Sequence, residues 1–319
     1  MSAIKIIKNR SDIGAGTRGS DMGIDAIEIA AINADNNYFI QFPYVDVATH
    51  NETVYNKVKT TFAKRITHVR EQCNRVANLV YDTLNDGFFP IVISGDHSSA
   101  LGTMSGIKAF HREKRMGVIW IDAHADLHSP YTSPSGNVHG MPIAAALGQD
   151  NTNYQSNEVT VTTNGEWEKL KNISTRGPKF LAEDLIYFGV RDTEVAEDKL
   201  MEELNIKNYA VHEMRYRGVL ACLDEAVEKL KDCDLIYISF DVDSMDADLI
   251  STGTGTPVSK GFDPNEVITI INFFMATKKV VCLEVTEINP LLDNKGNVMA
   301  ETAFNVLDKV TAYYLMNGN

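Results

Sequence analysis

Gly117-Val118-Ile119-Trp120-Ile121-Asp122-Ala123-His124-Ala125-Asp126 is the stretch on which the reading of this chain turns. Five residues without a charge run straight into two carboxylates and an imidazole. A short, continuous apolar run reads as a strand buried on both faces, which is the mark of a parallel sheet. Polar groups gathered just beyond it stand at the carboxyl edge, where open α/β sheets collect their ligands.

The same pattern recurs outward from there. Apolar runs fall at 4–7, 89–94, 185–190, 209–211, 234–240 and 279–285. Helical stretches are expected near 24–33, 99–112, 140–147, 194–204, 214–231, 264–276 and 298–316. A long helix is expected over 52–85, because Val54, Val58, Phe62, Ile66, Val69, Cys73, Val76 and Val80 step by three and four. Residues 148–180 are polar without a clear period and read as an irregular excursion. Strands alternating with helices predict an α/β fold with helices on both faces of a mostly parallel sheet, in one domain over 1–319.

Composition narrows the partners. The chain has 319 residues, 44% of them hydrophobic, which is ample for a large core. Its net charge of -13 disfavours nucleic acid and suits a small cationic substrate. The four cysteines form no C-x-x-C pair and read as buried free thiols of a reducing compartment. No stretch approaches a membrane span and the N-terminus has no signal-like apolar run, so no membrane partner and a cytoplasmic location are expected. Gly14-Ala15-Gly16-Thr17-Arg18-Gly19 fits G-x-G-x-x-G, but polar residues separate it from the strand before it, which is poor context for a dinucleotide.

Strand ends carry metal-type ligands elsewhere too: Gly95-Asp96-His97-Ser98, Phe240-Asp241-Val242-Asp243 and Glu284-Val285-Thr286-Glu287. Any one of these is ordinarily a cap or a loop start. Together they put many acids in one cleft, which is prohibitive without cations. Asp122, His124 and Asp126, spaced by two as on an extended strand, are expected to converge on one point. With His97, Asp241 and Asp243 they make four carboxylates and two imidazoles and no thiolate, a set that suits Mn²⁺, with Co²⁺, Fe²⁺ or Zn²⁺ open. Two ions about 3.5–4 Å apart can share the set and activate a common water.

These motifs, with Ser135-Gly136-Asn137-Val138-His139-Gly140, Thr254-Gly255-Thr256-Pro257 and Glu287-Ile288-Asn289-Pro290, resemble the ureohydrolase family over about residues 90–290, and within it the arginase branch. The resemblance implies a three-layer α/β/α sandwich and two Mn²⁺ per chain. His97, Asp122, Asp126 and Asp241 would hold one ion, and Asp122, His124, Asp241 and Asp243 the other. It implies hydrolysis of a guanidinium compound, foremost L-arginine to L-ornithine and urea, by a metal-bridging hydroxide. Glu287 would orient the guanidinium, with Thr256 assisting it, and Asp126 and His139 would move protons. Ser135 and Asn137 match the residues that read an α-carboxylate. Two positions depart from the pattern: His128 stands for the usual Asn, and Glu194 for the usual Asp that takes the α-amino group. Agmatinase, guanidino-acid hydrolase and formimidoylglutamase therefore stay open as alternatives. The resemblance also allows a homo-oligomer, since members form trimers or hexamers.

Overall fold

A sheet covered by helices on both faces must be apolar on alternate residues of both sides, and the chain meets that demand strand by strand. In the computed structural model, which describes residues 3–317, eight strands form one sheet. They are β1 (Ile4–Asn9), β2 (Tyr44–Asp46), β3 (Phe89–Ser94), β4 (Met116–Ile121), β5 (Leu185–Phe188), β6 (Lys207–Tyr209), β7 (Leu235–Asp241) and β8 (Val280–Thr286). Their order is β2-β1-β3-β8-β7-β4-β5-β6 and every pairing is parallel.

The strand residues divide between two cores. Ile91, Ile93, Ile119, Ile121, Ile238 and Phe240 belong to one, packed under helices Gly23–Asn33, Val219–Lys229, Pro264–Met275 and Val298–Asn317. Val92, Val118, Trp120, Leu235 and Tyr237 belong to the other, under helices Ile66–Asn85, Ala100–Phe110, Pro142–Leu147 and Val161–Lys171. The result is the three-layer α/β/α arrangement that alternation predicted. All four cysteines are free and buried. No helix among the described residues is long and apolar enough to cross a membrane.

Three local expectations need correction. The helix expected over 52–85 is only Ile66–Asn85; a 3-10 turn spans Asn51–Tyr55 and an irregular loop follows. The apolar spacing at 54, 58 and 62 looked helical, but tertiary pairing wins. Lys64 N donates to Gly136 O at 2.7 Å, Thr60 Oγ1 to Ala63 O at 2.7 Å, and Arg65 turns left-handed at φ 56. The helix expected over 214–231 is broken by Gly218 (φ 93) into Val211–Arg217 and Val219–Lys229. The excursion 148–180 contains a helix, Val161–Lys171, capped by Thr160 and seated on Trp167 and Leu170. Two large anchors among polar neighbours give too little period to be seen in sequence.

Lys179 closes that excursion without a carboxylate. Its buried ammonium donates to the carbonyls of Ile173 (3.0 Å) and Thr175 (2.6 Å). Burial pushes its pKa down to about 8. The unfolded lysine releases its proton only near 10.4. Between those values the unfolded chain holds more protons, so stability rises with pH; the penalty is full below about 8 and gone above 10.4 or so. Denaturant melts from pH 7.5 to 10.5 are expected to show this rise in the wild type relative to Lys179→Met. Parallel pH profiles for the two would refute it.

Candidate metal centre and substrate cleft

The four central strands β3, β8, β7 and β4 are neighbours, and each releases its ligands at the same carboxyl edge. His97 follows β3 as the first residue of a 3-10 turn whose cap is Asp96. Its ring stacks on Trp120 of β4, centroids 4.0 Å apart and planes within 6°. Its Nε2 pairs with Ser239 Oγ of β7 at 2.8 Å. Both contacts fix Nδ1 toward the cleft.

Around that one nitrogen stand three carboxylate oxygens: Asp122 Oδ2 at 3.0 Å, Asp126 Oδ2 at 3.1 Å and Asp241 Oδ2 at 3.0 Å. A ring nitrogen carries at most one proton, so three acceptors cannot all be hydrogen-bonded to it. His97 Nδ1, Asp122 Oδ2 and Asp126 Oδ2 are in fact buried with no hydrogen-bond partner. Orphaned lone pairs converging on a common point are the donor set of a cation site. The residues present fit divalent metal.

Each acid divides its labour. Asp122 Oδ1 accepts from His124 N (2.7 Å), and Asp241 Oδ1 caps the turn Val242–Ser244 by accepting from Asp243 N (2.8 Å). The cap reading of Asp-Val-Asp holds for Asp241 Oδ1, while Oδ2 stays turned to the cleft beside His97. A second group forms beside the first: His124 Nδ1 lies 3.0 Å from Asp243 Oδ2 and 3.5 Å from Asp122 Oδ1. Asp122, His124 and Asp126 thus serve two points rather than the single one expected. β4 ends at Ile121, and Asp126 takes φ 50, so the extended spacing does not persist. Burial, then the charges of Asp243 and Asp122, push Asp241 well above the usual carboxylate range. Burial and the Asp122 charge push Asp126 up to about 6.

Glu287 follows β8 in a left-handed conformation (φ 66), its N–H donating to Gly95 O. Its Oε1 accepts from His97 N (3.0 Å) and pairs with His139 Nδ1 (3.0 Å); its Oε2 is buried without a partner. Burial opposes charge on His139, but the Glu287 charge prevails and lifts it to about 9. Thr256 was expected to assist Glu287; its hydroxyl instead donates to Asp243 Oδ2 (3.2 Å).

These groups floor a cleft of about 280 Å³. Ser133, Ser135 and Asn137 are on its lining, as are Asp192, Glu194 and Glu197. His128 was expected to offer a donor to a substrate carboxylate. Both its nitrogens are engaged: Nδ1 with Thr132 Oγ1 (3.1 Å), Nε2 with Glu194 Oε2 (2.8 Å). The Glu194 side chain reaches the His128 imidazole, so the two positions that depart from the resemblance are paired with each other. Glu197 was not singled out, although Glu194-x-x-Glu197 is a capping-box spacing and both halves of the box form. Burial pushes Glu197 up to about 8. Asp192 was missed as well; its Oδ2 lies 3.6 Å from His124 Nε2, beyond hydrogen-bond reach but close enough for their charges to interact.

The glycine-rich loop is absorbed into the same site. Gly14 N donates to Asp96 Oδ2 (2.9 Å) and Gly14 O accepts from His139 N (3.1 Å). A Cβ on Gly14 would lie 2.5 Å from Ser98 Oγ. Residues 10–13 separate the loop from β1, and the loop packs against the cleft, so it does not form a dinucleotide fingerprint.

An all-parallel α/β sheet with paired acid–imidazole groups at its carboxyl edge defines a metallohydrolase-type site. The Arginase family profile matches residues 2–312. An arginase of Brevibacillus brevis is 34% identical over 312 residues, covering 94% of this chain and 94% of its own. An arginase of Bacillus subtilis (strain 168) is 31% identical, covering 98% and 99%. The solved arginase of Bacillus caldovelox superposes with a TM-score of 0.81 at 31% identity, covering 97% and 98%. The chain belongs to the Arginase family, hydrolases that act on guanidino carbon–nitrogen bonds.

Proposed function

We propose that this chain hydrolyses L-arginine to L-ornithine and urea with two Mn²⁺ ions. The observation that carries the reading is the trio of carboxylate oxygens around the orphaned His97 Nδ1, with the unpartnered Glu287 Oε2 on the same cleft. His97, Asp122, Asp126 and Asp241 would hold one cation, and Asp122, His124, Asp241 and Asp243 the second. When bound, the cations supply a water nucleophile of lowered pKa and stabilise negative charge in the transition state.

The remaining work falls to the chain's own side chains. Glu287 Oε2 accepts guanidinium N–H groups in charge-assisted bonds and sets the carbon in place for attack. Asp126 takes up the proton that the attacking water gives up and hands it to the departing amine. His139, tethered through Nδ1 to Glu287, exchanges protons between cleft and solvent. The acids Asp192, Glu194 and Glu197 take the substrate ammonium, and Ser135 and Asn137 its carboxylate. The identity of the relatives favours arginine over the alternatives, since those at 31–34% are arginases by name.

The test is product release with Mn²⁺ from arginine, agmatine, a guanidino acid and formiminoglutamate. Arginine is expected to give urea with the highest kcat/KM. Turnover of agmatine with none of arginine would transfer the reading to agmatinase.

A further inference from the structure

We propose that Lys64 is a positioning residue that turns Asn137 into a hydrogen-bond donor for a carboxylate, so that the cleft selects ligands bearing carboxylate and ammonium together. The inference rests on the guanidinium-hydrolase reading above and extends it to a residue outside every motif.

The cleft poses a charge problem. Asp192, Glu194 and Glu197 suit an ammonium, but no lysine or arginine is on the lining. The imidazoles are committed elsewhere: His97 and His124 to the acid groups, His128 to Glu194, His139 to Glu287. A carboxylate is left with serine hydroxyls and the Asn137 amide. An amide can present either its oxygen or its nitrogen, and only the nitrogen attracts an anion.

Lys64 decides which. Its Nζ lies 3.0 Å from Asn137 Oδ1, and it has no carboxylate partner among the described residues. An ammonium is a donor only, so it must face the amide oxygen, which leaves Nδ2 as the donor. Nδ2 has no hydrogen-bond partner in the fold and lies against Gly16, where a Cβ would come within 2.5 Å. The two loops are locked together. Lys64 N donates to Gly136 O at 2.7 Å, and Gly136, at φ 70, sits so close to Thr61 that a Cβ would lie 2.0 Å from its carbonyl oxygen. The ammonium also adds the positive charge that the lining lacks.

Binding to the Mn²⁺-loaded protein by titration calorimetry reads this directly, using L-ornithine and putrescine, which differ by the carboxylate. Lys64→Met is expected to weaken ornithine about tenfold and putrescine less than about twofold, the scale of one charge-assisted contact. Lys64→Arg, which keeps a donor and a charge, is expected to stay within about threefold of wild type. The backbone bond to Gly136 survives both changes, so the melting temperature serves as a folding control. Equal losses for the two ligands, no loss for ornithine, or a wild type that does not distinguish them overturns the proposal. A wild type that releases no urea from arginine sinks the hydrolase reading instead, and the binding comparison still reports on Lys64.

Discussion

Asp241→Asn is expected to abolish arginine hydrolysis, by roughly 10³-fold or more in kcat/KM, the scale of removing a principal electrostatic stabiliser of a transition state. The physical reason lies in how Asp241 is used. Its Oδ1 caps a turn and its Oδ2 faces His97 Nδ1 at 3.0 Å. Asparagine preserves the cap and removes the carboxylate, so the fold survives while the cations proposed to share Asp241 would lose a ligand. Bound Mn²⁺ is expected to fall from two equivalents per chain to one or fewer by elemental analysis. Thermal melts add a sign that a merely damaged protein would not show. Without metal, the variant is expected to melt above the wild type, because a carboxyl whose ionisation is opposed by burial and by Asp243 and Asp122 has been removed. With metal in hundredfold excess over its Kd, the wild type gains about 2.7 kcal/mol by linkage and the order reverses. A variant that keeps two equivalents and its activity would remove Asp241 from the centre.

Glu287→Gln is expected to lower kcat/KM by about 10³-fold with both metal equivalents retained. Glutamine keeps an acceptor for His97 N and tolerates the same left-handed backbone about as well as glutamate. What it loses is the anionic oxygen left unpartnered in the cleft. Steady-state kinetics alongside metal analysis separates the two variants: one loses ions, the other keeps them and loses the substrate's orientation. Activity within about tenfold of wild type would show that Glu287 does not hold the guanidinium.

The candidate ligands could be read in sequence because they gather at or just beyond the ends of apolar strands. A run such as Gly117–Ile121 announces its own end, and parallel strands end on one edge. What escaped depends on contacts between distant segments. The pairing of His128 with Glu194 is invisible until β4 and the helix Val195–Leu204 are side by side. Lys64 was hidden by a misreading, since a helical apolar spacing continued through residues that are loop. That loop exists because its backbone bonds to Gly136, some seventy residues away. The helix Val161–Lys171 was missed for want of period, its buried face resting on few apolar side chains.

The strand order carries a consequence for how the molecule is made. His97 and Asp122 leave the ribosome long before Asp241 and Glu287, yet β3 and β4 have β8 and β7 between them. A nascent chain holding only the first two hundred residues therefore carries four of the six proposed ligands and has no way to close the gap. On the proposed reading, premature termination before Glu287 would yield no partially active product, and ion capture would wait until nearly all of the polypeptide has been translated.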